Sequence, residues 1–145
     1  MAANASCNVE LSFSSCFVPS ERIVSVAPYA ELPAHDGGGR SNGSLALGVA
    51  RRACLLLGPS PLDRALEQRR AELDGADEHS LAAARAAAVE LSLRASAAAI
   101  TRLGSQSIRL DAQAQRLGRE ALFLLVFGSR VAIRAALLAE LGASG

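Results

Sequence analysis

Residues 9–18 alternate apolar and polar side chains, with Val9, Leu11 and Phe13 set against Glu10, Ser12 and Ser14. A period of two predicts a short β-strand. Pro19 closes it, because proline cannot donate to a strand ladder. Residues 19–43 carry Pro19, Pro28, Pro33 and the run Gly37-Gly38-Gly39. That stretch reads as a connection with a short extended piece at 23–26. From Ser44 the pattern turns helical. Gly58-Pro59 stops a first helix, since glycine takes the left-handed cap and proline cannot continue. Ser60-Pro61-Leu62-Asp63 opens the second, with Ser as N-cap, Pro at the first helical position and Asp facing the dipole. This helix should end near Leu73, with a turn at Asp74-Gly75. The longest helix is expected over about 78–103, with an apolar stripe at Leu81, Val89, Leu93 and Ile100 and small Ala between. Glu90 stands four before Arg94, a favourable helical pair. Gly104-Ser105 ends this helix. Asp111 is expected to cap another, through Phe127. Gly128-Ser129 breaks that one, with Ser129 as N-cap of a last helix to about Leu141 and Gly142 just past its end.

The fold expected is mainly α: an up-and-down bundle of four to five helices, with a short N-terminal β-strand and a Pro/Gly-rich connection. Residues 1–43 form the strand and connection, and 44–145 the bundle. Composition sharpens this. Of 145 residues, 30 are Ala and 22 Leu, the two that lose least on entering a helix. Four Phe, one Tyr and no Trp leave no aromatic platform for stacking bases. All 15 basic residues are Arg, which excludes a Schiff-base lysine and a Walker-type phosphate loop. A net charge of +1 provides no broad field, so nucleic acid is not expected as a partner. The mean hydropathy of +0.24 predicts faces that a partner covers.

Cys7, Cys16 and Cys54 are odd in number and lack C-x-x-C spacing, so reduced thiols are expected rather than a disulfide framework or zinc site. The start, Met1-Ala-Ala-Asn-Ala-Ser, has no basic region followed by an apolar run, so no signal peptide is expected. The densest apolar run, 121–127, is far short of the ~20 residues that a membrane span needs. A cytoplasmic location is the expectation. His35 and His79 have no second ligand at metal spacing and read as solvated; no metal is expected. Asp74, Asp77 and Glu78 read as helix-capping acids. Arg51-Arg52 and Arg69-Arg70 read as exposed helix faces, though guanidinium forks can also grip phosphate. No serine sits in a G-x-S-x-G elbow.

Two segments, the first and the third quoted next, carry a resemblance, and the second falls between them where a turn of the same family lies. The first is Val9-x-Leu11-x-Phe13-x-x-Cys16-Phe17-Val18-Pro19-x-Glu21-Arg22-Ile23. The second is Leu103-Gly104-Ser105-Gln106-Ser107-Ile108. The third is Arg116-Leu117-Gly118-Arg119-Glu120-Ala121 with Phe127-Gly128-Ser129-Arg130-Val131-Ala132-Ile133-Arg134. The chain resembles the acyl-CoA dehydrogenase family over most of 9–141: its last β-domain strand (V-x-L-x-F-x-x-V-x-V-P-x-E-R), its G-G-x-G-[YF] turn, and R-L-x-R-[DE]-A followed by E-G-T-x-x-I-x-R. The resemblance implies the C-terminal helical bundle of a flavoprotein, a homo-oligomer or a subunit completed by a partner chain, with FAD as cofactor and acyl-CoA as substrate class. On that basis the cofactor-binding residues would be Arg70, Gly104 and Ser129.

The departures are specific. Phe127 occupies the position of the family's catalytic Glu, and a phenyl ring cannot accept a proton. No residue of this chain is therefore assigned as catalytic. Residues 41–58, where some members carry the acid, contain none, and Glu31 and Asp36 lie upstream in the connection. Arg70 keeps the Arg of the family's R-x-x-F-G but not its Phe-Gly. Ser105 replaces the second glycine of the turn, Thr101 the preceding Gln, and Ser129 the Thr, with its hydroxyl retained. The family's N-terminal domain and nearly all of its β-domain have no counterpart here.

Overall fold

The computed structural model describes residues 12–26 and 38–143. Five helices follow one another: α1 (Gly39–Leu57), α2 (Pro61–Gly75), α3 (Leu81–Leu103), α4 (Gln113–Leu124) and α5 (Val131–Glu140). Short 3-10 turns lie at Ser20–Arg22 and Gly104–Ile108. The fold is a mainly α helix bundle. The start of α1 meets the end of α2, where Arg40 donates to the carbonyls of Leu73, Asp74 and Ala76. The end of α4 returns to the start of α3, where Arg85 meets the carbonyls of Phe127 and Gly128. Hence α1 to α4 run up, down, up, down. α5 packs on α3.

α3 is the axis, packed against all four other helices. Residues Ala84 to Val89 are buried without a break, which is more than one full helical turn, so no face of that stretch looks outward. Alanine makes this possible, because a one-carbon side chain lets neighbouring helices approach closely. The expected stripe is only half the answer. Leu81 and Val89 are buried, but Leu93 and Ile100 are half-buried at the α4 boundary, and the core is completed by Ala86, Ala88, Leu91, Ala95 and Ala99. Facing them are Leu47 and Ala50 of α1, Leu66 and Leu73 of α2, Leu117 and Leu124 of α4, and Ile133 and Leu137 of α5.

The helix ends explain themselves locally. Ser60 accepts from the Leu62 N–H at 3.3 Å, while Asp63 accepts from the Ser60 N–H at 2.8 Å, the reciprocal box expected from the sequence. Asp77 and Ser80 exchange a similar pair, each side chain accepting the other's backbone N–H at 2.9 Å. Gly104 ends α3 with φ +63°. Past α5, the Gly142 N–H reaches Ala139 O and the Ala143 N–H reaches Leu138 O, a Schellman cap around a glycine at φ +70°.

Several boundaries differ from the sequence reading. α1 begins at Gly39, five residues before Ser44. Glycine is a poor helix former, but Gly39 and Gly43 are buried, and a Cβ at Gly43 would lie 2.7 Å from Leu73 Cδ1. Tertiary packing and the Arg40 hydrogen bonds therefore override propensity. α2 runs two residues past Leu73, so Asp74-Gly75 is its last turn. α3 begins at Leu81, after the Asp77–Ser80 turn. Asp111 does not cap α4; Ala112 holds that position, and Asp111 takes two hydrogen bonds from Arg109 instead. α4 stops at Leu124 and a turn covers 125–128. Arg130, not Ser129, is the N-cap of α5, without a side-chain cap. Of the expected strand, 9–11 lie outside the described residues, and 12–18 show bends and no sheet pairing.

The Gly43 contact predicts that Gly43→Val destabilises by about 1–3 kcal/mol through overpacking. Gly48→Val, with nothing within 4 Å of its Cβ position, should stay within about 0.5 kcal/mol. Chemical denaturation of the pair measures the difference. Acid sensitivity follows from two carboxyls. The Arg69 hydrogen bond holds Glu72 below the usual carboxylate range, against opposing desolvation. Hydrogen bonds from Ser80 hold Asp77 low as well. Both groups titrate lower folded than unfolded. Their stabilisation is full above the unfolded values near 4 and is lost as pH falls through the folded ones. The thermal midpoint should be level between about pH 7 and 5 and drop below about pH 4, less steeply in Glu72→Gln.

Candidate functional site

The residues that the resemblance marks for a cofactor lie apart. Arg70 is on the outside of α2 and donates to Glu67 Oε1 at 3.4 Å. Gly104 caps the far end of α3. Ser129 follows the turn held by Arg85. From Arg85 to Gly104 is nineteen residues of α3, or ~28 Å at the helical rise. Within one chain the three residues do not surround one ligand. None of the three lines the clefts formed by 69–87 with Glu140, by 38–42 with Arg85 and 128–133, or by 93–100 with 115–122. Thr101 turns its hydroxyl back onto Ala97 O at 2.9 Å.

What the structure assembles instead is a node at the α4–α5 turn. Arg85 sits in the alanine run of α3 with 1% of its surface exposed. Its Nη2 donates to Phe127 O at 2.6 Å and its Nη1 to Gly128 O at 3.0 Å. A planar fork matches the two successive carbonyls of the turn that follows α4. Gly128 is required twice over. Its φ is +60°, and a Cβ there would stand 2.8 Å from Asn42 Nδ2. Gly38, Gly39, Asn42, Arg85, Gly128, Arg130 and Ile133 enclose a cleft of about 120 Å³ beside it. Phe127 is stacked on Phe123 with ring centroids 4.9 Å apart. Val126, Phe127 and Val131 all stay exposed. The Ser129 Oγ is buried without a hydrogen-bond partner.

The chemistry within reach is limited. Burial, and after it Asp63, pushes the Cys54 thiol up, which disfavours its thiolate. Cys16 is exposed, and Cys7 lies outside the described residues. His79 is exposed before α3, while His35, Glu31 and Asp36 lie outside the described residues. Among the described residues no group of three His, Cys, Asp or Glu could hold a metal. No described helix is long and apolar enough to cross a membrane. The Arg pairs split: Arg52 reaches Gln113 at 3.1 Å and Arg69 pairs with Glu72 at 2.7 Å.

Sequence reasoning passed over Arg85 and Arg40. For Arg85 a signal existed: a lone charge inside Ala-Ala-Ala-Arg-Ala-Ala-Ala sits where the helix must be buried. For Arg40 there was none, because its acceptors are backbone carbonyls 33 to 36 residues away.

Arg85→Met should cost about 2–3 kcal/mol by leaving two carbonyls without their charged donor. Faster amide exchange confined to 125–131 would accompany it, and Arg85→Lys would recover only part. Unchanged exchange in that turn would contradict its role as a clamp. No known family, curated protein or solved structure matches the chain.

Proposed function

We propose that this chain is the C-terminal helical part of an acyl-CoA dehydrogenase-like cytoplasmic flavoprotein. It would assemble with further copies or with a partner chain, and these residues by themselves would not catalyse dehydrogenation. The observation that carries this reading is the clamped turn. Arg85 fixes the backbone at Phe127 and Gly128, where the family has its Glu-Gly, while Val126, Phe127 and Val131 remain exposed at 71%, 42% and 81%. A rigidly held apolar turn is suited to contact with another surface. The sequence correspondence alone supplies the family, and against it the bundle is short by about one long helix, because only the second helix stands in that place.

Two features favour a second reading, a non-enzymatic helical oligomerisation module. Phe127 offers no base. The residues suggested for FAD are spread over both ends of the bundle, and small-molecule sites normally bury most of their ligand.

Purified alone, the chain should carry no stoichiometric flavin absorbance. It should also reduce no dye with acyl-CoAs and added FAD, either as wild type or as Phe127→Glu, because an acid is useless without an oriented acceptor. Sedimentation should show self-association at tens of micromolar, roughly the range of modest interfaces. Weak saturable quenching of FAD fluorescence, reduced by Ser129→Ala or Arg70→Ala, would favour the flavoprotein reading. Self-association with no effect on FAD would favour the module. Turnover by wild type would overturn both.

A further inference from the structure

α5 is the outermost helix. Among the described residues it packs against α3 and no other helix, through Ile133 and Leu137. Its opposite side carries a second apolar row. Val131, Ala135, Leu138 and Gly142 recur at spacings of four, three and four, the seam spacing of a coiled coil, so they share one face of the helix and its continuation. All four are exposed. Val131 stands 81% and Leu138 44% in solvent, and a Cβ on Gly142 would meet nothing within 4 Å. Ala132 and Ala139, also exposed, flank the row on one side, and Arg134 and Leu141 on the other. Neither Arg134 nor Glu140, the charged residues of α5, lies in the row itself. An exposed row without charge has the composition of an interface centre.

The order of sizes says what covers it. Along the row the residues run large, small, large, small: valine, alanine, leucine, glycine. An antiparallel copy of the same helix presents that order reversed. With a two-fold axis between Ala135 and Leu138, every layer joins one large residue to one small. Val131 meets Gly142 of the second copy, Leu138 meets Ala135 of the second copy, and the axis repeats both contacts. A parallel copy would stack Leu138 on Leu138 and leave gaps at Ala135 and Gly142, which close packing disfavours. Antiparallel pairing also carries the turn before α5, with exposed Val126 and Phe127, toward the end of the second helix, where Leu141 is exposed. The ten residues of α5 give only ~15 Å of helix. Such a contact stays below the ~800 Å² per copy of a standard interface, which suits a weak, exchanging dimer.

We infer that two copies of this chain pair through an antiparallel α5–α5 seam, with Val131, Ala135, Leu138 and Gly142 as its layers. This deepens the assembly part of the function proposed above and rests on it, but not on the flavin.

Sedimentation equilibrium of the full chain between about 1 and 300 µM tests it, with a monomer–dimer Kd on the order of 10⁻⁵ M expected. Leu138→Glu puts an unpaired carboxylate into two layers and should weaken the dimer about tenfold or more. Ala135→Leu opposes two leucines in each central layer and should weaken it by a similar factor. The double variant Ala135→Leu with Leu138→Ala again gives each layer one large and one small residue, and should return to within about threefold of wild type. Circular dichroism of dilute protein checks that each variant keeps its helices. A wild type that stays monomeric throughout would overturn the seam and self-association alike. Association untouched by Leu138→Glu would overturn the seam alone and leave self-association through another face. Tighter association of Ala135→Leu would overturn the antiparallel order, since only parallel copies gain by filling that layer. A folded double variant no stronger than Ala135→Leu would overturn the layering.

Discussion

Everything in this bundle depends on how closely helices can approach α3. The stretch Ala84 to Val89 has no outward face, so it needs neighbours on every side, each near enough to exclude water. Between Ala84 and Val89 only Arg85 is large. The rest of that turn presents methyl groups and one valine, so the neighbouring backbones, rather than long side chains, set the packing distance. The same economy recurs where α1 meets α2, with Gly43 against Leu73, and where α4 meets α3, with Gly118 against Ile100. Aromatic side chains contribute little to such a core. Its cohesion comes from many small apolar contacts at high density.

Close packing of this kind leaves the polar ends of helices to be satisfied in place. At one end of the bundle two arginines do this. Arg40 reaches across from α1 to three carbonyls at the end of α2, and Arg85 reaches from α3 to two carbonyls after α4. Each brings a cation to backbone carbonyls at or just beyond a helix end. A lysine ammonium would meet these carbonyls as a single point, whereas the guanidinium fork meets several with fixed geometry. The α4–α5 turn is held from behind by Arg85, and its apolar residues Val126, Phe127 and Val131 are exposed.

The amino-acid sequence by itself determined the helical class, the Ser60 cap, the stops at Gly58, Gly104 and Gly142, and the Glu90–Arg94 pair. Those are local effects, in which a side chain meets backbone within about four residues, so the order of residues suffices to specify them. Only the tertiary structure decided the rest. It converted the Gly-rich start of α1 into helix, because burial against Leu73 and the Arg40 bonds outweighed propensity. It moved the N-caps of α4 and α5 away from Asp111 and Ser129. It made the alanines of α3, rather than its larger residues, the centre of the core, and it separated Arg70, Gly104 and Ser129. It also brought Arg85 to Phe127. Each of these outcomes pairs groups far apart in sequence. No periodicity encodes them, because the energy belongs to the contact between helices and not to either helix alone.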